Sequence, residues 1–413
     1  MLDHYRVLDL TNERGLLCGQ ILGDLGADVI KLEPPGGSSA RRMAPFFQNE
    51  SDAEGSLVWW AYNRNKRAIT LDITQPEGKQ LLRRLVASAH FLVESELPGT
   101  LAELGLGYED LAADNPGLIY VSITPFGQNG PKASHADSDL VILASGGPLI
   151  LTGDDDRPPV RVSVPQGYLH ASAGAAVAAL IASHERHRSG QGQHIDISAQ
   201  QAVAQATQSS ILAGPLSDAE ISRMSGGTKI GPLPIRLVWP AKDGHVAITY
   251  LFGSAFAHFT KRLMDWIYEE GMCDEATQQT DWVAYGGYLF SGPEAIEDYK
   301  RLTQIVEDFT LTKTKAELLQ GALDRSLLVA PVTTLDEVIN SEQLASRDYW
   351  TSVDHGQLGR AIRYPGPFAK FSAAPITYRR RPPRLGEHNH EVYGQELGLS
   401  PAQLDQLQTK GVI

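Results

Sequence analysis

Cysteine is scarce in this sequence, since its 413 residues contain only Cys18 and Cys273. The two lie far apart in the chain, and neither has a second Cys or a His pair nearby at the spacing of metal ligands. Such scarcity argues against a disulfide scaffold and against a structural zinc site. We therefore expect a protein of the reducing cytoplasm that has no metal site.

Positive charge is also in short supply. The chain has 36 Lys and Arg against 49 Asp and Glu, a formal net charge of −13. Because clustered positive charge drives binding to nucleic acids and acidic membranes, we expect neither as a partner. The longest run of small apolar residues, 173–182, is about half the length needed to cross a bilayer. Residues 1–10 carry charges inside their first apolar stretch, unlike a signal peptide.

The motifs of several common enzyme classes are missing. No P-loop is present, and the first strand-like run is followed by TNERG at 11–15 instead of a G-x-G-x-x-G turn. Neither a G-x-S-x-G elbow nor an H-E-x-x-H pair occurs. Dinucleotide binding, serine hydrolysis and zinc proteolysis therefore have no support in the sequence.

Alternating strand and helix patterns are what the sequence does contain. A β-like run at 6–10, a helical pattern at 16–25 and a strand at 26–33 form a strand–helix–strand unit, the start of a parallel sheet. The same pattern continues with strands at 68–73, 91–94 and 118–123, a helix at 76–89 and a long Ala-rich helix at 167–186. The fold class predicted is α/β, with a large doubly wound parallel-sheet domain and a smaller α+β domain.

A shift to Gly, Pro and Ser between 217 and 240 marks the crossing into the smaller domain. We predict a large α/β domain whose N-terminal part is 1–200, a linker at 201–224 and a small domain at 225–335. Residues 336–413 are expected to form a return linker and the C-terminal part of the large domain.

Many short motifs, in the same order from residue 3 to the C-terminus, resemble the class III CoA-transferases (the CaiB/BaiF type). They are VLDLT at 7–11, LGADVIKLEPPGG at 25–37, NRNKRAITLD at 63–72, PEG at 76–78, PG at 98–99, LGLGYEDL at 104–111, GQNGP at 127–131, GQGQ at 190–193 and LGEH at 385–388. The resemblance implies a ring-shaped protomer threaded through an identical or related partner as an interlocked dimer.

The resemblance also implies a catalytic Asp, and this chain lacks it. In that family an Asp near the start of the long helix attacks the acyl-CoA thioester and becomes a mixed anhydride. Counting back without a gap from GQGQ at 190–193, the residue at this position is Tyr168. Tyr cannot form an acyl anhydride, and Gln166, Gly167, Leu169 and His170 supply no carboxylate. We therefore predict no catalytic residue in this chain.

Residues that resemble the family's CoA contacts have changed as well. The degenerate CoA cleft is predicted near eight positions: Thr74, Ser95, Glu96, Glu103, Gln128, Asp137, Gly226 and Gly227. Thr74, Glu103 and Asp137 stand where the family often has a basic residue, and Ser95 and Glu96 where it often has Asn-Phe. Gln128 resembles a pocket residue, with a turn-stabilising role equally open. Gly226 and Gly227 belong to a segment resembling a mobile glycine loop, for which a flexible linker is an equal explanation.

The resemblance and the missing Asp leave three possible functions. The first is the non-catalytic subunit of a hetero-oligomeric CoA-transferase in aromatic degradation, whose homologous partner carries the Asp. That complex would move CoA from an acyl-CoA such as succinyl-CoA to a carboxylic acid such as benzylsuccinate. The CoA thioester would be its substrate, with no covalently bound cofactor. The second is a homodimeric transferase with an atypical carboxylate nucleophile, and the third is a non-enzymatic acyl-CoA-binding scaffold.

Overall fold

A computed structural model of the protein describes residues 1–49, 52–216, 222–230 and 233–413. Residues 217–221 of the predicted linker therefore lie outside the described part. The strands within it are β1 (Arg6–Asp9), β2 (Asp28–Glu33), β3 (Lys66–Thr70), β4 (Phe91–Glu94), β5 (Ile119–Thr124), β6 (Gln193–Ser198), β7 (Gly227–Ile230), β8 (Leu233–Arg236), β9 (Val238–Ala241), β10 (Gly244–Ile248), β11 (Val329–Pro331), β12 (Trp350–His355) and β13 (Arg360–Pro365).

The α-helices of the described residues follow in chain order. They are α1 (Leu16–Asp24), α2 (Leu57–Asn63), α3 (Pro76–Val86), α4 (Thr100–Glu103), α5 (Tyr108–Asp114), α6 (Asp139–Gly146), α7 (Gly167–Ser189), α8 (Ala199–Ala204), α9 (Gln208–Leu216), α10 (Ala257–Glu269), α11 (Glu275–Gln278), α12 (Trp282–Tyr288), α13 (Pro293–Leu311), α14 (Lys315–Arg325), α15 (Leu335–Ile339), α16 (Glu342–Ser346) and α17 (Pro401–Thr409). A π-helical segment spans His390–Glu396.

The chain divides into two units. The first comprises Met1–Pro148, Val162–Thr207 and Glu342–Ile413, and the second comprises Leu149–Arg161 and Gln208–Ser341. The first unit contains a six-stranded sheet in the order β3-β2-β1-β4-β5-β6, with all neighbouring pairs parallel. The predicted α/β class with a parallel sheet is thereby confirmed. The order reverses between β1 and β4, where doubly wound sheets place their ligand crevice.

The local sequence explains where helix α3 begins and how closely it packs. Helix α3 begins with Pro76, has Glu77 in its first turn and has Arg83 and Arg84 in its last, as the helix dipole favours. Gly78 lies against the preceding turn, because an added Cβ would stand 1.9 Å from the Asp72 carbonyl oxygen. The PEG motif therefore combines a helix start with a close backbone contact.

The main core of the first unit lies on one face of the sheet, beneath α3 and α5. Its members include Leu8, Ile30, Ile69, Leu82, Leu92, Leu118, Val392, Tyr393, Val412 and Ile413. The C-terminal residues belong to this core, and the Asp72 N–H donates to the Val412 carbonyl at 2.7 Å. The C-terminal residues therefore pack in the main core of the first unit.

A buried ion cluster joins the three strands on one side of the reversal. The Asp9 carboxylate accepts from Lys31 Nζ at 3.2 Å and from Lys66 Nζ at 2.8 Å, and all three side chains are fully buried. Burial alone would raise the Asp9 pKa, but the two ammonium groups outweigh it and lower that pKa to about 2. Because Asp9 ends β1, the cluster fixes where the following loop leaves the sheet.

The second unit has an antiparallel sheet in the order β11-β10-β9, a β7–β8 pair and helices α9 to α15. Its core is aromatic: Trp239, Tyr250, Trp282, Tyr285 and Tyr299 are all buried. Helix α14 begins with a capping box in which Thr314 and Glu317 satisfy each other's backbone N–H groups.

Candidate functional site

The reversal point of the sheet brings together the loop after β1 and the end of β4. The Asn12 N–H donates to Ser95 Oγ at 2.9 Å, and Ser95 Oγ donates to Asn12 Oδ1 at 3.0 Å. Ser95, one of the predicted cleft residues, is 1% exposed. The β1–α1 loop is therefore tied to β4 at the edge where a ligand crevice is expected.

Arg14, in the same loop, forms a two-pronged ion pair with Asp137. Its Nε donates to Asp137 Oδ2 at 3.1 Å and its Nη2 to Oδ1 at 2.9 Å. The Asp137 side chain is 7% exposed and that of Arg14 is 23% exposed. Burial by itself would raise the Asp137 pKa, but the hydrogen bonds from Arg14 and Tyr168 outweigh it and lower that pKa. Asp137 is therefore an anion with a partner.

Tyr168 is the second residue of α7, and its hydroxyl donates to Asp137 Oδ2 at 2.5 Å. Burial, followed by the hydrogen bond to the Asp137 carboxylate, raises the pKa of the Tyr168 hydroxyl well above its ordinary value. The phenol thus stays protonated and acts as a donor at neutral pH. At the position predicted from the sequence for the nucleophile, the chain has a hydrogen-bond donor bound to the carboxylate of Asp137.

The first turn of α7 is capped by a second carboxylate. Asp139 Oδ1 accepts from the N–H groups of Gln166 and Gly167 at 2.7 and 2.8 Å. These are backbone donors that a helix start leaves without a partner inside the helix. A Cβ on Gly167 would lie 2.8 Å from Ile142 Cγ2, so only glycine allows α6 to approach this closely.

The remaining cleft positions of the first unit are placed less closely together. Thr74 and Glu103 are exposed, and the Thr74 hydroxyl donates to Asp72 at 2.6 Å within its own turn. The Glu96 N–H donates to Glu94 Oε2 at 2.7 Å. The Gln128 N–H donates to Asp196 Oδ2 at 2.9 Å. The hydrogen bonds above link Ser95, Asp137 and Tyr168 through the β1–α1 loop, and no such chain of contacts reaches Thr74 or Glu103 in the described part.

Gly226 and Gly227 belong to the second unit, in a segment that is anchored by aspartates. Gly226 has a φ of 62°, and Gly227 begins β7 opposite Arg236. The Ser225 N–H donates to Asp154 Oδ1 at 2.9 Å, and Lys229 forms an ion pair with Asp155. Both ends of the glycine pair are therefore held by the 154–155 turn.

A separate pocket of about 220 Å³ lies beside β4, β5 and β6. Its wall includes Glu94, Tyr108, Tyr120, Ser122, Gln128 and His194. Burial raises the pKa of Glu94 to about 7, against the hydrogen bonds from Ser122 and the Glu96 backbone. Ser122 Oγ lies 2.9 Å from His194 Nε2, and the Tyr108 ring stacks on the His194 ring. Sequence reasoning missed Glu94, and its only signal was a carboxylate ending an otherwise apolar strand.

The residues that the structure describes contain neither a metal cluster nor a helix suited to cross a membrane. No three His, Cys, Asp or Glu side chains are grouped so that they could hold a metal ion. None of the described helices combines the length and the apolar character that a membrane crossing requires.

Comparison with known proteins identifies the class. The chain belongs to CoA-transferase family III, whose pattern matches residues 2–389. The predicted family is therefore confirmed over nearly the whole chain.

Individual relatives cover the full length. The succinyl-CoA:(R)-benzylsuccinate CoA-transferase subunit BbsE of Thauera aromatica is 34% identical, covering 99% of this chain and 97% of its own. The succinyl-CoA–D-citramalate CoA-transferase of Chloroflexus aurantiacus is 34% identical, covering 100% and 98%. Among solved structures, a CaiB/BaiF family protein from Brucella suis has a TM-score of 0.79 at 29% identity, covering 95% of this chain and 98% of its own.

Proposed function

We propose that this chain is the non-catalytic subunit of a hetero-oligomeric class III CoA-transferase, whose homologous partner supplies the nucleophilic Asp. The complex moves CoA from an acyl-CoA such as succinyl-CoA to a carboxylic acid such as benzylsuccinate. The predicted cytoplasmic location is part of this proposal.

The observation that carries the proposal is the state of Tyr168. An anhydride needs a carboxylate free to attack the thioester carbonyl. At position 168 the chain has a phenol whose proton is donated to Asp137 at 2.5 Å. The Asp137 carboxylate in turn binds Arg14 through both oxygens. An ion-paired, hydrogen-bonded carboxylate is a poor nucleophile, because attack would cost it both interactions.

The relatives favour the substrate class. Two proteins 34% identical to this chain have succinyl-CoA in their names, and one of them is named as a subunit acting on (R)-benzylsuccinate. We infer the same donor for this chain's complex, and an aromatic dicarboxylic acid as the acceptor.

Exposed apolar side chains of the first unit support a protein partner. Six of them lie on α6, on α7 or in the segment that leads into α7: Leu140, Val141, Val162, Val164, Val177 and Ile181. Large exposed apolar patches are typical of protein interfaces. We infer that a homologous subunit covers this surface, in the interlocked ring arrangement expected from the family.

The test is trapping of the acyl-enzyme in a reconstituted complex. Co-expression with a homologue from the same genome that retains the Asp should give a complex whose mass contains both subunits. Hydroxylamine added with succinyl-CoA converts an activated aspartyl group to a hydroxamate on the protein. We expect mass spectrometry to find the label on the partner only.

One observation favours a second candidate, a transferase that uses Asp137 as an atypical nucleophile. Asp137 is the carboxylate that contacts Tyr168, and its lowered pKa keeps it ionised. The same trapping experiment decides between the two. A hydroxamate on Asp137, produced by this chain without a homologous partner, would replace the first proposal with the second.

A further inference from the structure

The donors around Asp137 are arranged like those of a carboxylate-binding site. A guanidinium gives two nearly parallel N–H bonds to the two oxygens, and a phenol gives a third bond at 2.5 Å. Paired N–H bonds of this kind are how arginine recognises carboxylates. We propose that Arg14 and Tyr168 form a binding site for a small carboxylate, and that the chain fills this site with its own Asp137.

This inference deepens the proposed function and rests on it, because a site filled from within cannot take an acyl group. It also differs from the loss of a nucleophile alone. If only the nucleophile were missing, a substrate carboxylate could still bind to Arg14 and Tyr168. Here the Asp137 side chain already occupies these two donors.

The backbone at both donor residues is held in place independently of Asp137. The Arg14 backbone N–H donates to Asn12 Oδ1 at 3.1 Å, and the Arg14 carbonyl accepts from Ser172 Oγ at 3.1 Å. The Tyr168 backbone belongs to α7, whose first turn is capped by Asp139. The Arg14 guanidinium also lies 5.9 Å from the centre of the Tyr168 ring. Removal of the Asp137 carboxylate should therefore leave both backbones in place, with the two side chains still beside each other.

The acceptor lies on a different kind of segment. Asp137 follows a stretch at 131–136 that is almost entirely exposed, and it directly precedes Ser138, the N-cap of α6. The side-chain hydrogen bonds that Asp137 makes in the described structure go to Arg14 and Tyr168. The Asp137 carboxylate therefore binds to the two donors as a separate carboxylate ligand would, although it belongs to the chain itself.

Chemistry limits the ligand to a small anion with two coplanar oxygens. A carboxylate matches the fork of Arg14 and leaves one oxygen to accept from Tyr168, as Asp137 does. Acetate is a suitable stable probe, because it reproduces the Asp137 side chain from its Cβ outward, and Asp137→Gly leaves the whole of that volume open. A probe of four heavy atoms should bind with a Kd on the order of millimolar.

The experiment compares Asp137→Gly with the wild-type full chain in acetate and in chloride of equal ionic strength. We expect Asp137→Gly to melt below the wild type, because it leaves Arg14 partly buried without its counter-charge. Acetate should raise the Tm of Asp137→Gly saturably and leave that of the wild type at its chloride value. Calorimetry should find a single acetate site on the variant alone.

Two controls separate this site from a general effect of acetate. Adding Arg14→Gln to Asp137→Gly removes the fork, and the response to acetate should disappear. Asp114→Ala removes the partner of Arg83, an exposed ion pair of the same unit, and should show no saturable response.

Three results would overturn the inference: a folded Asp137→Gly that does not respond to acetate, an equal response in the wild type, or an equal response in Asp114→Ala. If Asp137→Gly does not fold in chloride, refolding in acetate supports the site, and failure in both salts contradicts it. The hydroxamate experiment uses the wild-type complex, so failure of this inference and failure of the proposed function are separate results.

Discussion

At the scale of single residues, the protonated hydroxyl of Tyr168 is the central feature of the site. Its hydroxyl is committed as a donor to Asp137, and its raised pKa removes it as a base at neutral pH. The side chain therefore contributes one hydrogen bond to a charged acceptor, an interaction that commonly stabilises a protein by about 1.5–3 kcal/mol.

Tyr168→Phe should leave the turnover of the reconstituted complex within about threefold, which corresponds to roughly 0.7 kcal/mol of barrier. The free energy of unfolding should fall by about 1–2 kcal/mol, because Asp137 loses a donor but keeps Arg14. Steady-state kinetics and denaturant unfolding measure the two effects, with the exposed Tyr268→Phe as the matched control. A loss of about a hundredfold in kcat with the complex intact would make Tyr168 a catalytic residue.

Glu94 offers a prediction about pH. Its pKa is raised from 4.5 to about 7, so between these values the folded chain holds a proton that the unfolded chain has lost. The contribution of this group to stability is complete below pH 4.5 and is lost as the pH rises through 7.

Glu94→Gln should therefore be more stable than the wild type at pH 8 by up to about 3 kcal/mol, and should show little difference at pH 4.5. Gln keeps a carbonyl that can accept from the Glu96 N–H. Denaturant unfolding from pH 4.5 to 8 measures the change, and Glu109→Gln, an exposed glutamate of the same pocket, is the control. A difference between Glu94→Gln and the wild type that stays constant across this range would contradict the assignment.

At the scale of secondary-structure elements, the sequence predicted the parallel sheet because its strands are short apolar runs separated by helices. Strands at 91–94 and 118–123 correspond to β4 and β5, and the helix at 167–186 corresponds to α7. The sequence could not supply the pairing of Arg14 with Asp137. These residues are 123 positions apart, and only the crossing of α1, α6 and α7 brings them together.

The same limit applies to the predicted cleft. From the sequence, Asp137 is an acidic residue where the resemblance implies a basic one, and in the structure the Arg14 guanidinium compensates its charge. The loss of positive charge expected at the predicted cleft therefore rests on Thr74 and Glu103. A charge read from sequence carries no information about a counter-charge supplied from another element.

The docking of the C-terminal residues is an element-level feature that mutation can test. Val412 is fully buried in the main core, and its carbonyl accepts from the Asp72 N–H. Val412→Ala should lower the free energy of unfolding by about 2 kcal/mol, from lost burial and the cavity left behind. Gln408→Ala, on the exposed face of α17, should change it by less than about 0.5 kcal/mol. Equal effects in urea unfolding would mean that the tail does not contribute to the core.

At the scale of the whole molecule, the exposed apolar surface predicts the assembly state. Ile181 is 66% exposed and Val177 is 58% exposed on α7. We expect the chain without its partner to self-associate at micromolar concentration, because water-exposed surface of this kind favours association. The domain boundaries at 200, 224 and 335 and the ring arrangement stay predictions at this scale.

Sedimentation velocity measures the assembly state. Ile181→Asp should weaken both self-association and capture by the homologous subunit, with an unchanged circular dichroism spectrum. Gln80→Asp, an exposed position on α3, is the control for added charge. A stable wild-type monomer at micromolar concentration would contradict the proposal that a partner covers α7.

The network of Arg14, Asp137 and Tyr168 also bears on how this chain could evolve. Tyr168→Asp alone would place a second carboxylate near Asp137 and remove one of its donors, while Arg14 could compensate only one of the two charges. Loss of Asp137 alone would leave the partly buried Arg14 guanidinium without its counter-charge. Recovery of a nucleophile therefore requires coordinated substitutions at several positions, each unfavourable when it comes first. Such epistasis is hard to reverse: once the three residues had formed this network, selection on single mutations would preserve the proposed difference in role between this chain and a catalytic partner.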